Sequence, residues 1–308
     1  MTIKIFTRHY AGMLPDIFVS KTPFLRVFGG ALQVRTDAEY NENFLDLKIE
    51  DTEVTIQNYS TDPNVAFGTG TGNSNRFGPR KEIKAEDVTV PWESPLSIHE
   101  GVDRFTVNDL PDQVVANRLA KHAVAWAVHV NSWLGKAISD SASQTLTGEL
   151  TEEGVTTLFA TAHKTFVNNG VSDDLAWVAF VNTDVYNFLI DSDLAKTDKN
   201  SSANVDNQTL YKFKGFELEE LPDTQFESGE QAYFTAIGIG VAGIGVETVR
   251  TMDSEQFNGV ALQGAGQYAK YIPEKNKAAI LKASLTAPAP VSSDEEGGTP
   301  PDDETPEG

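Results

Sequence analysis

Five histidines, His9, His99, His122, His129 and His163, are the side chains of this sequence best suited to acid–base or metal chemistry near neutral pH. His122 and His129 stand seven residues apart, a spacing that lets both share one helix face. No His-Glu-x-x-His occurs, and no carboxylate at i+3 or i+4 completes a metal set. Packing beside Trp126 is their expected role. Gly238-Ile-Gly-Val-Ala-Gly243 matches G-x-G-x-x-G after an apolar run, the pattern of a dinucleotide loop. Gly245 interrupts the helix start that such a loop requires, and only 65 residues follow Gly243, too few for a doubly wound half. A glycine-rich connection between strands is expected instead. Gly68-Thr-Gly-Thr-Gly could cradle phosphate, but no Gly-Lys-Ser/Thr follows. Asp191 and Asp193 lack the loop glycine and closing Glu of a calcium loop. No Gly-x-Ser-x-Gly elbow exists. Zero cysteines remove disulfides, thiolate metal sites and cysteine nucleophiles. With 45 acids, no catalytic carboxylate pair stands out from chance, so neither an enzyme nor a bound cofactor or metal is expected.

Charge is the more informative chemistry. The chain of 308 residues carries 24 basic and 45 acidic side chains, a net charge of −21. That balance argues against a general nucleic-acid binder, because phosphate contacts need Lys and Arg. The bases are nonetheless grouped. Residues 1–35 hold Lys4, Arg8, Lys21, Arg26 and Arg35 against the single acid Asp16. Arg76, Arg80, Lys81 and Lys84 form a second basic group beside glycines. Residues 286–308 hold seven acids, no base and five of the fourteen prolines, and read as a disordered acidic tail. Such runs are usually solvated surface. The sharper alternative is self-complementarity, with basic arms lying on acidic faces of identical neighbours.

The elements that must present these charges follow from periodicity. Residues 1–43 keep no helical or strand period. Phe18, Phe24, Leu25, Val27 and Phe28 are irregularly spaced, with Pro15 and Pro23 as breakers, an arm that wants a partner surface rather than a core of its own. Phe44–Ile49 alternates as a strand, Val54–Gln57 continues the same character, and 86–90 reads as the returning strand of a long hairpin with a glycine tip. Asn108 or Asp109 can cap a helix with Pro111 in its first turn. Val115, Leu119, Trp126, Val130 and Leu134 then recur at helical spacing to Ile138. At 1.5 Å per residue that is a spine of about 40 Å. A second helix opens at Thr151-Glu-Glu and closes at Asn169-Gly170. Leu175–Val181 reads as a buried strand, Asn182 caps a short helix over 185–190, and 191–209 is a polar surface loop. Strands are expected at 211–219, 232–237 and 244–250. A last pair, 258–272 and 278–285, flanks the Pro273-Glu-Lys-Asn turn. Helices and strands mix without regular βα alternation, so the class is α+β. No stretch approaches the roughly 18 apolar residues of a membrane helix, and Met1–Tyr10 lacks a signal-peptide core.

This order of parts resembles the major capsid proteins of tailed double-stranded DNA phages, the Hong Kong ninety-seven-like capsid fold. The stretches that carry the likeness most closely are Val178-Ala-Phe-Val-Asn-Thr-Asp-Val-Tyr-Asn-Phe-Leu and Gly215-Phe-Glu-Leu-Glu-Glu-Leu-Pro222. The resemblance covers roughly residues 1–285. It implies an N-terminal arm over 1–43, an extended hairpin or E-loop over 44–100 and the spine helix of a P-domain over 101–148. A compact A-domain over 149–256 and returning strands over 257–285 would follow, ahead of the acidic tail at 286–308.

The function so implied is a structural protein that self-assembles as hexamers and pentamers into an icosahedral phage head around double-stranded DNA, without sequence-specific contacts. Arg8, Lys21, Arg26, Arg76, Arg80, Lys81 and Lys84 would make contacts between subunits. With no long charged helical segment ahead of the arm, a separate scaffolding protein is expected, together with a portal. The subunit would lie in the virion capsid after assembly in the host bacterial cytoplasm, with no membrane partner. An encapsulin-like nanocompartment shell and a phage tail or surface-binding module are the alternatives.

Overall fold

Strand-forming runs and one long helical run divide the chain as their periods dictate. A computed structural model describes residues 22–35, 41–50, 52–63, 65–67, 75–106, 111–191, 203–204, 209–210 and 212–287. The helix caps Asn108 and Asp109, the glycines at 68–72, Asp193 and the acidic residues of the tail lie outside them. The chain forms two compact units. One comprises Phe28–Ala127 and Gly240–Tyr271; the other comprises Lys21–Val27, Val128–Ile239 and the residues from Ile272 on.

The first unit is built on a four-stranded sheet. A two-residue strand β1 (Gln33–Val34) runs parallel to β12 (Val241–Asp253), which pairs antiparallel with β13 (Gly259–Tyr271). The strand β13 pairs in turn with β4 (Leu96–Asp103). A separate antiparallel hairpin joins β2 (Asn43–Glu50) to β3 (Ala85–Pro91). Its base is fixed by Phe44, which is buried with Val90 and Ala269 and flanked by Trp92, Val241 and Tyr271. Gly243 in β12 lies directly under the Phe44 ring, where any Cβ would collide with it. Beyond Glu50 the alternation of Val54 and Ile56 does not yield the expected strand. Residues 52–60 run irregularly, and Val54 and Ile56 are 93 % and 95 % exposed. An isolated pair of strands gains too little burial to stay regular in water.

Helix α1 (Pro111–Asp140) spans 30 residues, about 45 Å at the helical rise. Its residues to Ala127 belong to the first unit and those from Val128 to the second.

The second unit carries a six-stranded mixed sheet in the order β5-β14-β11-β6-β10-β9. These are β5 (Gln144–Glu149), β6 (Trp177–Asn182), β9 (Lys212–Phe213), β10 (Phe216–Leu221), β11 (Ala232–Ala236) and β14 (Ile280–Thr286). A small ladder pairs β7 (Ala203–Asn204) with β8 (Thr209–Leu210) inside the segment expected to be loop. The strand β6 is buried along its whole length, as its continuous apolar run requires. Helix α2 (Glu152–Asn168) starts at Thr151, whose Oγ1 accepts from the Gly154 N–H, and ends at Gly170 with φ +66°. It covers the sheet with Phe159 and Phe166, which meet Phe216, Phe234 and Trp177 edge-on. Helix α3 (Thr183–Asp191) is capped by Asn182, whose Oδ1 accepts from the Val185 N–H at 3.0 Å.

Two expectations are corrected. The final strands do not pair with each other: β13 belongs to the first unit's sheet, whereas β14 pairs with β11 and β5. The arm is also not free of the core. Pro23–Phe28 forms a 3-10 turn in which Phe24 and Val27 are fully buried and Phe28 nearly so. A single irregular turn has no period to betray it.

Candidate assembly surfaces

Arg8 and Lys21 lie outside the described residues. Arg26 is engaged within its own chain. Its guanidinium bridges Glu217 at 2.7 Å and Glu219 at 3.0 Å on β10. Arg76 is engaged within the excursion, donating to the Val65 carbonyl at 3.0 Å and sitting 5.1 Å over the Phe67 ring. Arg80 is exposed. The Lys81 ammonium donates to the Glu53 carbonyl at 3.2 Å, and Lys84 stands 3.5 Å from Glu82. Both lysines are exposed, so these contacts hold them only loosely. Arg80, Lys81 and Lys84 thus stand exposed in the irregular segment that leads into β3, opposite Thr52 and Glu53.

The same excursion displays apolar side chains that nothing in the described chain covers. Val54, Ile56, Phe67, Phe77 and Ile83 are each at least 66 % exposed, and Tyr59, packed against Phe77 at a ring distance of 5.2 Å, is 54 % exposed. Single exposed apolar residues are ordinary, whereas several within one excursion make it a candidate contact surface. Periodicity could not announce this, because Val54-Thr-Ile-Gln reads as a strand whether or not its partner belongs to the same chain.

Sequence spacing also missed two polar clusters. Glu100 on β4 receives a two-pronged contact from Arg118 and a 2.8 Å contact from His122 on α1. The Arg118 hydrogen bonds, followed by that of His122, hold the Glu100 carboxyl down to about 2, against an ordinary 4.5. His122 is buried, as its expected packing role requires, but its polar partner comes from a strand 22 residues earlier. In the second unit, Glu230 accepts from Tyr233 at 2.7 Å and Ser139 at 2.9 Å, and pairs with Lys282 at 2.7 Å. Burial alone would push the Glu230 carboxyl up. The hydrogen bonds of Lys282, Tyr233 and Ser139 outweigh it and hold the group below its usual range. Burial pushes the Tyr233 hydroxyl in the opposite direction, upward. Both clusters tie the helix to a strand and saturate their own charges, the signature of structural pins rather than of a poised acid or base.

Gly238–Gly243 lies on a turn and the start of β12, with Gly238 at φ +75°, so no helix N-terminus faces a phosphate. His99, Gln263 and Arg250 form a row across three strands, with Arg250 donating to Gln263 at 2.8 Å. Among the described residues, no three His, Asp or Glu side chains are grouped to hold a metal ion. No helix among them is long and apolar enough to cross a membrane.

This architecture is shared. A chain from Mycobacterium phage Che8 superposes with a TM-score of 0.64 at 15 % identity, covering 92 % of this chain and 98 % of that one. A chain of the capsid of the cyanophage P-SCSP1u gives 0.65 at 10 % identity, covering 92 % and 94 %. A chain of the mature capsid of bacteriophage PhiM1 gives 0.66 at 12 %, covering 92 % of each. No protein-family model matches the sequence, and no curated protein is similar to it in sequence. The likeness is therefore one of fold, and it spans almost the whole chain: an α+β, Hong Kong ninety-seven-like capsid fold.

Proposed function

We propose that this chain is the subunit of a closed icosahedral shell, a phage head assembled from hexamers and pentamers around double-stranded DNA. The observation that carries this reading is the fold match to the P-SCSP1u and PhiM1 capsid chains over at least 92 % of both partners. The exposed apolar hairpin supports it independently, because a closed lattice supplies the missing cover from a neighbouring copy. In these terms residues 44–100 are the extended loop, 101–148 the spine, 149–256 the A-domain, 257–285 the returning strands and 1–43 the arm, although β12 and β13 share a sheet with β4 in the first unit. Arg80, Lys81 and Lys84 contact neighbours, joined by Arg8 and Lys21 of the arm, while Arg26 and Arg76 shape the surfaces they sit beneath. The acidic majority of the chain attracts those bases and repels packaged DNA, which limits non-specific sticking. A separate scaffolding protein and a portal complete the assembly in the host cytoplasm. The subunit works by shape and contact, without catalysis or a cofactor.

Analytical ultracentrifugation across protein concentration, with and without the scaffolding protein, tests this reading. Discrete species far heavier than the 33.5 kDa chain are expected. A single monomeric boundary under every condition would overturn it.

A further inference from the structure

Alternation along the strands gives the sheet of the first unit two distinct faces. Glu100 and Tyr268 point to the face taken by α1, where they meet Arg118, His122 and Trp126. His99, Gln263 and Arg250 are cross-strand neighbours on the opposite face. One end of that face is closed by Phe44, which packs on Ala269 and over Gly243. The other end is open. There the row of His99, Gln263 and Arg250 borders a cavity of about 390 Å³, floored by Ser97, Gly264 and Ala265. A second cavity of about 320 Å³ shares His99 and Gln263 and runs on toward Met252 and Phe257. The row is braced from within. The Gln263 side-chain carbonyl accepts from Arg250 Nε at 2.8 Å, and its amide nitrogen stands 3.5 Å from His99 Nε2. With Nε spent on Gln263, the two terminal amino groups of Arg250 make no hydrogen bond or ion pair among the described residues. A guanidinium is thus oriented over a cavity with its two-pronged end open.

We propose that this open end is a carboxylate-binding site and that its occupant is the acidic segment 288–308 of this chain. The terminal amino groups of a guanidinium take both oxygens of a carboxylate at once, and Gln263 and His99 offer further N–H donors beside them. The small floor residues leave room for a main chain to pass. Segment 288–308 holds Asp294, Glu295, Glu296, Asp302, Asp303, Glu304 and Glu307 and no base. It follows directly on the described chain and reaches up to about 70 Å when extended. Several carboxylates on one tether keep a replacement close whenever one leaves. Lys84 is a weaker competitor for them, because Glu82 already stands beside it. Asp253 and Glu255 line the second cavity, so the acids of the segment gather at the Arg250 end. The contact does not depend on the shell function.

The test uses the full chain with Arg250→Lys, which puts a primary amine where the guanidinium stands. A water-soluble carbodiimide joins that amine, as an amide, to a carboxylate in contact with it, and mass spectrometry of the digest locates the link. Links from position 250 to the acids of 288–308 should form at about 0.01 M salt, where the screening length is about 30 Å, and vanish at about 1 M, where it is about 3 Å. They should outnumber links from Lys81 and Lys84 to the same acids. Links to the segment from Lys81 and Lys84 alone, or from position 250 to Asp253 and Glu255 alone, would overturn the proposal.

A second measurement leaves Arg250 in place. Diethyl pyrocarbonate should acylate His99 about fivefold faster once the seven acids of the segment are exchanged for the corresponding amides, with the melting temperature of the subunit unchanged. Arg250→Gln should reproduce that rise. A His99 rate indifferent to both changes would overturn the site and its occupant. A rise with Arg250→Gln alone would overturn the occupant. Both readouts are taken on dispersed subunits, so a failure of the shell reading leaves them standing.

Discussion

Replacing Phe24 by Ala removes a fully buried ring from contact with Phe180, Phe226 and Tyr233, and should cost the subunit about 3–5 kcal/mol in urea unfolding. A loss below 1 kcal/mol would place Phe24 outside the core. Glu100 supplies a pH-dependent counterpart. Its folded carboxyl titrates at about 2 against an ordinary 4.5, so its contribution is present above about 4.5 and is lost as pH falls toward 2. Melting temperature should therefore fall over that window in the natural chain and fall less in Glu100→Gln. Equal acid slopes in both would contradict the assignment. Neither residue was legible in the sequence. Phe24 lies between breakers with no period around it, and Glu100, Arg118 and His122 meet only once β4 and α1 are folded. Hydrogen bonds between distant segments leave no local spacing to read.

At the scale of elements, the strongly periodic segments were legible and the partner-dependent ones were not. The long helix, the Thr151 cap, the Asn182 cap and the buried strand β6 follow directly from local pattern, because helical spacing, a capping side chain and a continuous apolar run are each written within a few consecutive residues. The run at Val54–Gln57 has a strand's sequence but no strand beside it, and β13 and β14 sit on opposite sides of one turn yet belong to different sheets. Pairing is a long-range choice that alternation does not encode. The hairpin gives the prediction proper to this scale. Val54→Asp together with Ile56→Asp should leave the subunit's melting temperature within a degree or two, since both side chains are already in water. The same pair should abolish particles in sedimentation. Particle yield equal to that of the natural chain would mean these residues are never covered. Gly243→Leu acts at the other end of the hairpin. It should expel Phe44 from the base and lower stability, detectable as faster proteolysis of 44–92.

For the whole molecule, the distribution of charge and the fold point the same way. On the shell reading proposed above, a chain of net charge −21 with exposed Arg80, Lys81 and Lys84 grouped ahead of β3 meets copies of itself through those bases. Reversing Arg80, Lys81 and Lys84 to Glu should leave the circular dichroism spectrum of the subunit unchanged and reduce or misdirect assembly, most strongly at low salt, where such pairs are least screened. Assembly that is indifferent to this triple reversal would remove these bases from the contact surface. The central claim is closure into a shell, and electron microscopy of the purified chain, alone and with the scaffolding protein proposed for it, tests it most directly. Closed icosahedral particles, or rings of five and six subunits, are the predicted result. A field of dispersed monomers at every concentration and salt, with the scaffolding protein present, would contradict it.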